Sequence, residues 1–503
     1  MAKKLISLIL AALMTASVFV SCSNEAAEET EKQEQESTSN QAAAPAVEEE
    51  EEEAETTYLD ALPEVGYDGY RYLILNSNAL TNDWFSTNYI NFDEESADVL
   101  ESAIFRRNRL VEDRFDVIIA EDFQDYNEIR SQVLAGVDEF PLVLITGANA
   151  LSLAQEGYLY DQMKLDPIDL TKPYWDQNAV GSLTIANRLY YTVGNFITTN
   201  LDDVKVFFFN KGLLADYKLH DPYDYVRNME WTFDTMTEEA LVVSDDLNGD
   251  GIYNDNDRYG ILSWSGSLYP ALIFGSGETF MAKDENDKPY TCFYNERFLQ
   301  VYDKILLMCH GNGDTVTYDA NFMQNTHGLS NNHRVQEIMF PNNQALFWNE
   351  NVAWSKALRD MEMDFGIIPA PMLDSAQACY YVYSGNSFYG MSIPTSVQDV
   401  DRASTVLEAL NSMSTGIITD AYYDVMLKSK LSRDVESGEM LDIIFSHLIY
   451  DFGVVYGIGG IKDSVATMLA NGDTDVASFY KRNEKVLTKS IDRAFEKISA
   501  LDY

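Results

Sequence analysis

NEIRSQVLAGVDEFPLVLITGANALSLAQEG, residues 127–157, places an apolar strand between two helices and decides the fold class. Apolar residues at helical spacing predict a helix over Asn127–Ala135, and a second helix opens over Leu151–Glu156, closed by Gly157. Between them, Pro141–Gly147 is an unbroken apolar run of strand length. A helix on each side of such a strand is typical of an α/β fold.

The same rhythm precedes this stretch. Gly69–Leu75 alternates in polarity as an opening strand, residues 98–115 show helical spacing, and Asp116–Ile119 follows as a second strand. Strand, helix, strand, helix in this order predicts a mostly parallel sheet, and no internal repeat interrupts it.

The N-terminus carries an export signal. Lys3 and Lys4 precede an apolar run, Leu5–Val20, and Ser21-Cys22 follows it. We expect residues 1–22 to be a lipoprotein signal peptide and Cys22 to be acylated, which would anchor the protein outside the cytoplasm on the cell membrane. Plain secretion is the alternative.

Residues 23–57 are polar and contain no aromatic residue, and Glu48–Glu53 is an unbroken glutamate run. We expect a disordered acidic tether, since such a segment cannot bury enough apolar surface to fold. Residues 58–503 are longer than one core usually supports, so two lobes are expected. The net charge of −46 argues strongly against nucleic-acid partners.

Residues 246–257, DLNGDGIYNDND, follow the spacing of an EF-hand-type calcium loop. Gly251 occupies the position that needs a positive φ, although no long amphipathic helix is predicted to lead into the loop. The alternative is an ordinary polar turn. A structural Ca²⁺ is expected on these residues: Asp246, Asn248, Asp250, Ile252 (through its carbonyl), Asn254 and Asp257.

The sequence gives little sign of disulfides, transition-metal sites or catalytic motifs. Cys292 and Cys309 could form a disulfide, but their spacing does not require one. Five histidines without paired spacing leave little room for a zinc or iron site. No nucleophile elbow and no phosphate-binding loop occurs, so the chain is not expected to be an enzyme.

Several segments in order resemble one family. They are PLVLITG (141–147), LAQEGYLYDQ (153–162), NRLYYTVGNF (187–196), VFFFNKGLLADYKL (206–219), MEWTFDTMTEEA (229–240), DLNGDGIYNDNDRYG (246–260), MDFGIIPAPM (363–372) and SGNSFYGMSIPTSV (384–397). Together they resemble the carbohydrate-type extracellular solute-binding proteins, family 1, which are the substrate-capturing lipoproteins of ABC importers. Thr232 is a plausible cap for the helix that follows it.

The resemblance implies a two-lobed, periplasmic-binding-protein-like fold of type II with a ligand cleft between the lobes. Lobe one would hold about 66–195 and 388–430, and lobe two about 200–384 with part of the C-terminal helices. The chain would cross between lobes near Val193–Lys205 and near Tyr383–Ser392. A monomer is expected that captures a sugar or oligosaccharide and delivers it to the transmembrane subunits of an ABC permease.

Ligand-binding candidates come from loops at the carboxyl ends of strands, the usual ligand-facing rim of an open α/β sheet. Aromatic faces can stack on sugar rings, and amides or carboxylates can pair with sugar hydroxyls. The candidates are Asn78, Asn82, Asp83, Trp84, Asn149, Asn195, Trp264, Tyr269, Trp348, Asn349 and Asn386. Two alternatives stay open, a surface glycan-adhesion lipoprotein without a transport role and a binder of a non-sugar solute such as a peptide.

Overall fold

The computed structural model describes residues 62–78, 84–311, 316–321, 323, 325–329, 332–359, 361–428 and 435–501. Cys22, the predicted tether, Asn82 and Asp83 therefore lie outside the described residues.

The strands of the described chain are short and mostly buried. They are β1 (Tyr70–Asn76), β2 (Val117–Phe123), β3 (Leu142–Ile145), β4 (Lys205–Asn210), β5 (Tyr259–Ser263), β6 (Met281–Lys283), β7 (Pro289–Thr291), β8 (Thr317–Asp319), β9 (Ala345–Asn351), β10 (Phe365–Ile368), β11 (Val382–Tyr383), β12 (Gly390–Ser392) and β13 (Leu448–Ile449).

Helices alternate with these strands. They are α1 (Val99–Phe115), α2 (Asn127–Ala135), α3 (Gly147–Ala154), α4 (Gln177–Leu183), α5 (Thr199–Asp202), α6 (Lys211–Tyr217), α7 (Pro222–Arg227), α8 (Phe233–Val243), α9 (Ser265–Gly275), α10 (Glu296–His310), α11 (Gln336–Met339), α12 (Val400–Ser414), α13 (Ile418–Lys428), α14 (Val435–Ser446), α15 (Phe452–Val455), α16 (Ile461–Ala470) and α17 (Val476–Ser499). Short 3₁₀ segments cover Gln162–Lys164, Asn332–Val335, Val352–Leu358 and Ile458–Gly460.

Lobe one is built on a four-stranded sheet of order β12-β3-β1-β2. β1 runs parallel to β2 and β3, and β12 pairs antiparallel with β3. One face packs on α1 and α12, while Leu73, Leu75 and Val143 face the larger core on the other side. Burial on both faces explains why Pro141–Gly147 is apolar throughout.

Lobe two is built on a five-stranded sheet of order β10-β4-β9-β5-β8. β5, β8 and β9 are parallel to one another, whereas β4 runs antiparallel to β9 and β10. Phe207, Phe208 and Phe209 of β4 are completely buried, so aromatic side chains fill both faces of the central strands. α16 packs on α9, and α14 packs on β10.

Two segments run between the four-stranded and the five-stranded sheet. After Thr192, which bridges to Met391 beside lobe one, the chain passes through α5 and enters β4. It leaves lobe two after β11, which pairs with β13, and joins lobe one at β12. The two crossings lie side by side, because Thr199 Oγ1 accepts the Tyr389 N–H at 3.2 Å.

The predicted strands and helices are present, but several bounds differ: β1 is shifted by one residue to Tyr70–Asn76, β2 extends to Phe123, and β3 covers only Leu142–Ile145. β2 begins at Val117, one residue late, because Asp116 ends α1 in a left-handed conformation with φ 47°. α3 begins at Gly147, four residues before the predicted Leu151, directly after β3. The predicted cap is present, since Thr232 Oγ1 accepts the Thr235 N–H in a reciprocal capping box at the start of α8.

Candidate functional site

A cavity of about 410 Å³ lies at the edge of the lobe-one sheet. The carboxyl ends of the parallel strands β1 and β3 share this edge, which is where ligands meet open α/β sheets. The crossing before β12 and the turn after α15 complete its walls. The cavity is lined by Trp84, Thr146, Ala148, Asn386, Ser387, Tyr389, Val454, Val455 and Gly457.

Trp84 supplies the largest aromatic surface of this cavity. Its ring packs against that of Phe85 with centroids 3.9 Å apart. The chain beside it is fixed twice: Ser86 is bonded to Asp202, and the carbonyl of Phe85 accepts the Lys356 Nζ–H at 2.7 Å. The indole is therefore half-buried on a rigid support, as a stacking surface for an apolar ligand face requires.

Asn386 faces the same cavity from the second crossing. Its Oδ1 accepts hydrogen bonds from Lys462 Nζ at 2.9 Å and from the Tyr383 hydroxyl at 3.2 Å. Within the described residues its Nδ2 group has no acceptor. The amide is thus oriented by protein contacts on its oxygen and keeps its two N–H donors for a ligand.

A buried charge network lies behind the cavity, where the crossings meet lobe two. Lys205 Nζ lies 3.6 Å from Asp203 Oδ1 and 3.7 Å from Glu350 Oε1, and it donates to Asn351 Oδ1. Asp203 also accepts the Ser387 N–H at 2.6 Å. This carboxylate therefore ties the first crossing to the second.

Both cations of the network have carboxylate partners. Burial raises the pKa values of Asp203 and Glu350, and the nearby Lys205 charge opposes both shifts. Burial lowers the pKa of Lys462, the second cation of the network. Lys205 is paired with Asp203 and Glu350, and Lys462 lies 3.6 Å from Asp463 Oδ1, so each cation already has a carboxylate partner and neither needs an anionic ligand.

The rim of lobe two carries further polar groups and one tryptophan. Because β5, β8 and β9 are parallel, Trp264, Asn321 and Glu350 all follow or end strands at the same edge. Trp264 Nε1 donates to Glu350 Oε2 at 3.2 Å, and Asn321 Nδ2 donates to Ser265 Oγ at 2.7 Å. The half-buried Trp264 ring lies 5.8 Å from Lys205 Nζ.

The structure brings some predicted ligand residues together. Trp84 and Asn386 line one cavity, and Trp264 lies at the lobe-two rim beside Glu350. Asn149 lies in α3, outside the cavity lining formed by its neighbours Thr146 and Ala148.

Three predicted ligand residues of lobe two are core residues instead. Trp348 is 1% exposed, and its indole N–H donates to the buried Gln336 at 2.9 Å. Asn349 is completely buried, and its Oδ1 accepts from the hydroxyls of Ser263 and Ser267. Tyr269 is 4% exposed within α9. In this structure the three side chains are buried among protein atoms, and a ligand has no access to them.

Two lobe-one candidates are also structural. Asn78 is buried and donates to Asn88 Oδ1 at 2.8 Å. Asn195 Nδ2 donates to Thr415 Oγ1 at 2.9 Å, which joins the first crossing to the end of α12. Polar side chains at strand ends are often used to hold loops, and the sequence does not distinguish that use from ligand contact.

Sequence reasoning missed several cavity residues. Ser387 and Tyr389 lie in the SGNSFYG segment beside Asn386, so the segment was identified but its other members were not. Lys205 and Glu350 carry no local signal, because their pairing depends on the antiparallel register of β4 and β9.

The predicted calcium loop folds as a tight turn between α8 and β5. Asp246 accepts the N–H groups of Gly249 and Gly251, both at 2.7 Å, and Asp250 accepts the Ile252 N–H at 2.7 Å. Gly251 has φ 77°, as its position in the loop requires. A helix of 11 residues, α8, ends at Val243 shortly before the loop, although no long amphipathic helix is predicted there.

The donor set of this loop fits a hard cation, because carboxylates, amides and a carbonyl are the ligands Ca²⁺ prefers. Asp257, at the end of the loop, is buried and accepts the N–H groups of Leu247 and Asn254. In the described residues, however, no three His, Cys, Asp or Glu side chains form a metal-binding group. Calcium binding stays a prediction.

The structure also gives the state of the cysteines and the character of the helices. Within the part of the chain that the structure describes, Cys292 and Cys309 do not form a disulfide with each other. Among the described helices, none has the length and apolar character needed to cross a membrane.

No protein-family model matches the chain, and no curated protein matches it by sequence. Among solved structures, it is similar to a sugar transporter from Rhizobium etli in an open conformation, with 13% identity and a TM-score of 0.55 over 86% of this chain and 100% of that one. A cyclo/maltodextrin-binding protein complexed with maltotetraose is similar at 12% identity and a TM-score of 0.53, over 87% and 99% of the two chains. UspC from M. tuberculosis is similar at 14% identity and a TM-score of 0.50, over 85% and 100%. These likenesses confirm the predicted two-lobed α/β fold.

Proposed function

We propose that this chain is an extracytoplasmic solute-binding protein that captures a neutral sugar or oligosaccharide and delivers it to an ABC permease. One observation supports this above the others: an aromatic face and a pre-oriented amide line one cavity at the strand ends. Trp84 offers a surface for the C–H-rich face of a sugar ring, and Asn386 offers two N–H donors for its hydroxyls.

The ion pairing behind the cavity supports an uncharged ligand. Lys205 is paired with Asp203 and Glu350, and Lys462 is paired with Asp463, so neither cation needs an anionic ligand as its partner. The similar cyclo/maltodextrin-binding protein was solved with maltotetraose, which is such a ligand.

Closure of the lobes would couple binding to delivery. A ligand that contacts both rims binds the closed form more tightly than the open one, and this difference shifts the population towards closure. Trp84 of lobe one and Trp264 of lobe two are the aromatic residues we assign to the two sides. The same closed form would be the one that a permease recognises.

We further propose that Cys22 is lipidated, that the protein acts as a membrane-anchored monomer rather than as an enzyme, and that residues 246–257 hold a structural Ca²⁺. The lysines, apolar run and cysteine at the N-terminus support the anchor, because a diacylated cysteine provides stable attachment where one chain is marginal.

Calorimetric titration of the purified protein with maltotetraose, maltose, cyclodextrin and other neutral glycans tests the proposal. At least one should bind, and Trp84→Ala should lose about 1 kcal/mol or more of its binding free energy, roughly a fivefold or greater rise in Kd. Tyr290→Ala is a matched control, since Tyr290 is an exposed aromatic outside the cavity. Equal affinity in both variants would move the site elsewhere. Binding of a peptide in place of every glycan would replace the sugar assignment.

A further inference from the structure

Arg107 is a completely buried cation without a carboxylate partner. It lies on α1 with 0% exposure, and no carboxylate of the described residues is within ion-pair distance of its guanidinium. Its acceptors are neutral: Asn108 Oδ1 at 2.7 Å, Ser414 Oγ at 2.9 Å and the carbonyls of Phe196 at 3.3 Å and Ile90 at 3.4 Å.

The four hydrogen bonds of Arg107 use four of its five guanidinium N–H groups. A guanidinium has five N–H groups. Nε donates to Asn108, Nη1 donates to Phe196 and Ser414, and Nη2 donates to Ile90. The second N–H of Nη2 has no acceptor among the described residues.

Arg107 lines a small cavity. Its volume is about 20 Å³, enough for a single water-sized particle and too small for a carboxylate or a phosphate. Most of its exposed wall is apolar, with Leu144, Phe196 and Ile418 among its residues. Beside Arg107, the polar side chains on the wall are those of Asn76, Asn78, Thr87, Asn88, Thr198 and Thr199.

An unpaired buried charge is expensive, whereas a pair with good hydrogen bonds offsets much of that cost. The Phe196 ring, with its centroid 4.7 Å from the guanidinium carbon, supplies only a partial counter-charge. Burial also lowers the pKa of Arg107 to about 9, which reflects the missing anion.

We propose that the cavity beside Arg107 binds a monatomic anion, chloride in an extracytoplasmic setting. The ion would accept the remaining Nη2 N–H and neutralise the guanidinium. Because Phe196 and Thr199 of the first crossing and Tyr389 of the second also line the cavity, the ion would stabilise the part of lobe one on which both crossings rest.

Thermal unfolding in sodium gluconate, with sodium chloride or bromide substituted at constant ionic strength, tests this inference. The melting temperature should rise with halide concentration, because a ligand of the folded state stabilises by mass action. Arg107→Met should lose the halide dependence, whereas Arg130→Met, which removes an arginine paired with Glu156 on the surface, should keep it. The same halide response in wild type and Arg107→Met would overturn the proposal.

If Arg107→Met does not fold, diffraction from crystals of the wild-type protein in sodium bromide tests whether a halide occupies the cavity. An anomalous peak in the cavity beside Nη2 is expected, and a water there with no anomalous signal would also overturn the proposal. The halide proposal and the sugar proposal are tested separately, because the glycan titration concerns the cavity lined by Trp84 and Asn386 and not the one lined by Arg107.

Discussion

The carboxylate of Asp202 holds Ser86 through both of its donors, accepting the backbone N–H at 2.8 Å and the hydroxyl at 2.6 Å. Asp202 lies at the end of α5 in the first crossing, and the Tyr422 hydroxyl of α13 donates to it at 3.1 Å. Trp84 is two residues from Ser86. The position of the candidate stacking surface is therefore coupled to the segment that connects the lobes.

Asp202→Asn should weaken sugar binding although Asp202 does not line the cavity. The two Ser86 donors bond different oxygens of Asp202, and asparagine replaces one of these oxygens with an NH2 group. One contact should therefore be lost, and the Trp84 loop should become more mobile. We expect a several-fold higher Kd by calorimetry. A double-mutant cycle with Ser86→Ala should show coupling, because the two residues act through one contact. Additive effects would contradict this role.

Buried carboxylates predict an unusual pH dependence of stability. Burial raises the pKa of Asp202 and Asp451 to about 6 and that of Glu121 and Glu239 to about 7. Each group binds its proton more tightly in the folded state, so the free energy of unfolding should rise as pH falls from above 7 towards about 4. Urea unfolding across this range measures it.

Glu239→Gln provides the specific test of that sign. The variant cannot ionise at this position, so its stability should fall less between pH 5 and pH 8 than that of the wild type. A wild-type protein that becomes steadily more stable as pH rises through this range would contradict the assignment.

Gly385 is required at the second crossing for two reasons. Its φ is +79°, and a Cβ built there would lie 2.2 Å from Asp203 Oδ2. Gly385→Ala should destabilise the protein by about 2 kcal/mol or more, since the left-handed backbone alone costs roughly 1–2 kcal/mol. Gly416→Ala is the matched control: its φ is +80°, but nothing lies within 4 Å of its Cβ position. Equal unfolding free energies for the two variants would show that the Asp203 side chain can move away from the added Cβ at little cost.

Cys22→Ala should release the protein from membranes. The expectation depends on the N-terminal signal, since the loss of acylation would leave the acidic tether without an anchor. Fractionation of cells that express each form, followed by detection in membranes and medium, measures the effect. Wild-type protein found free in the medium would contradict lipidation.

The fold was predictable because its signals are local. The apolar run Pro141–Gly147, the helical spacing of Asn127–Ala135 and the cap at Thr232 each act within a few residues, and the structure contains β3, α2 and the capping box at these places. Where helices end in a left-handed residue, as at Asp116, the boundary moved by one residue.

The site was less predictable because it depends on register and burial. Trp84 and Trp348 both follow strand-like sequence, yet Trp84 lines the cavity and Trp348 fills the core beside Phe208 and Phe340. Nothing within a few residues of either tryptophan distinguishes them. Likewise, Lys205 and Glu350 meet only because β4 pairs with β9.

Calcium should stabilise the loop at residues 246–257, because three carboxylates on one short turn repel one another without a cation. Adding Ca²⁺ to chelator-treated protein should raise its melting temperature.

Asp250→Asn is the most specific variant for this test. Its amide oxygen can still accept the Ile252 N–H that Asp250 accepts at 2.7 Å, while one charge is lost. The variant should need more Ca²⁺ for the same shift. Asp284→Asn is the control, because Asp284 accepts the N–H groups of Asn286 and Lys288 in a similar turn outside the loop. A melting temperature that does not respond to Ca²⁺ would leave residues 246–257 as a polar turn held by its own N–H groups.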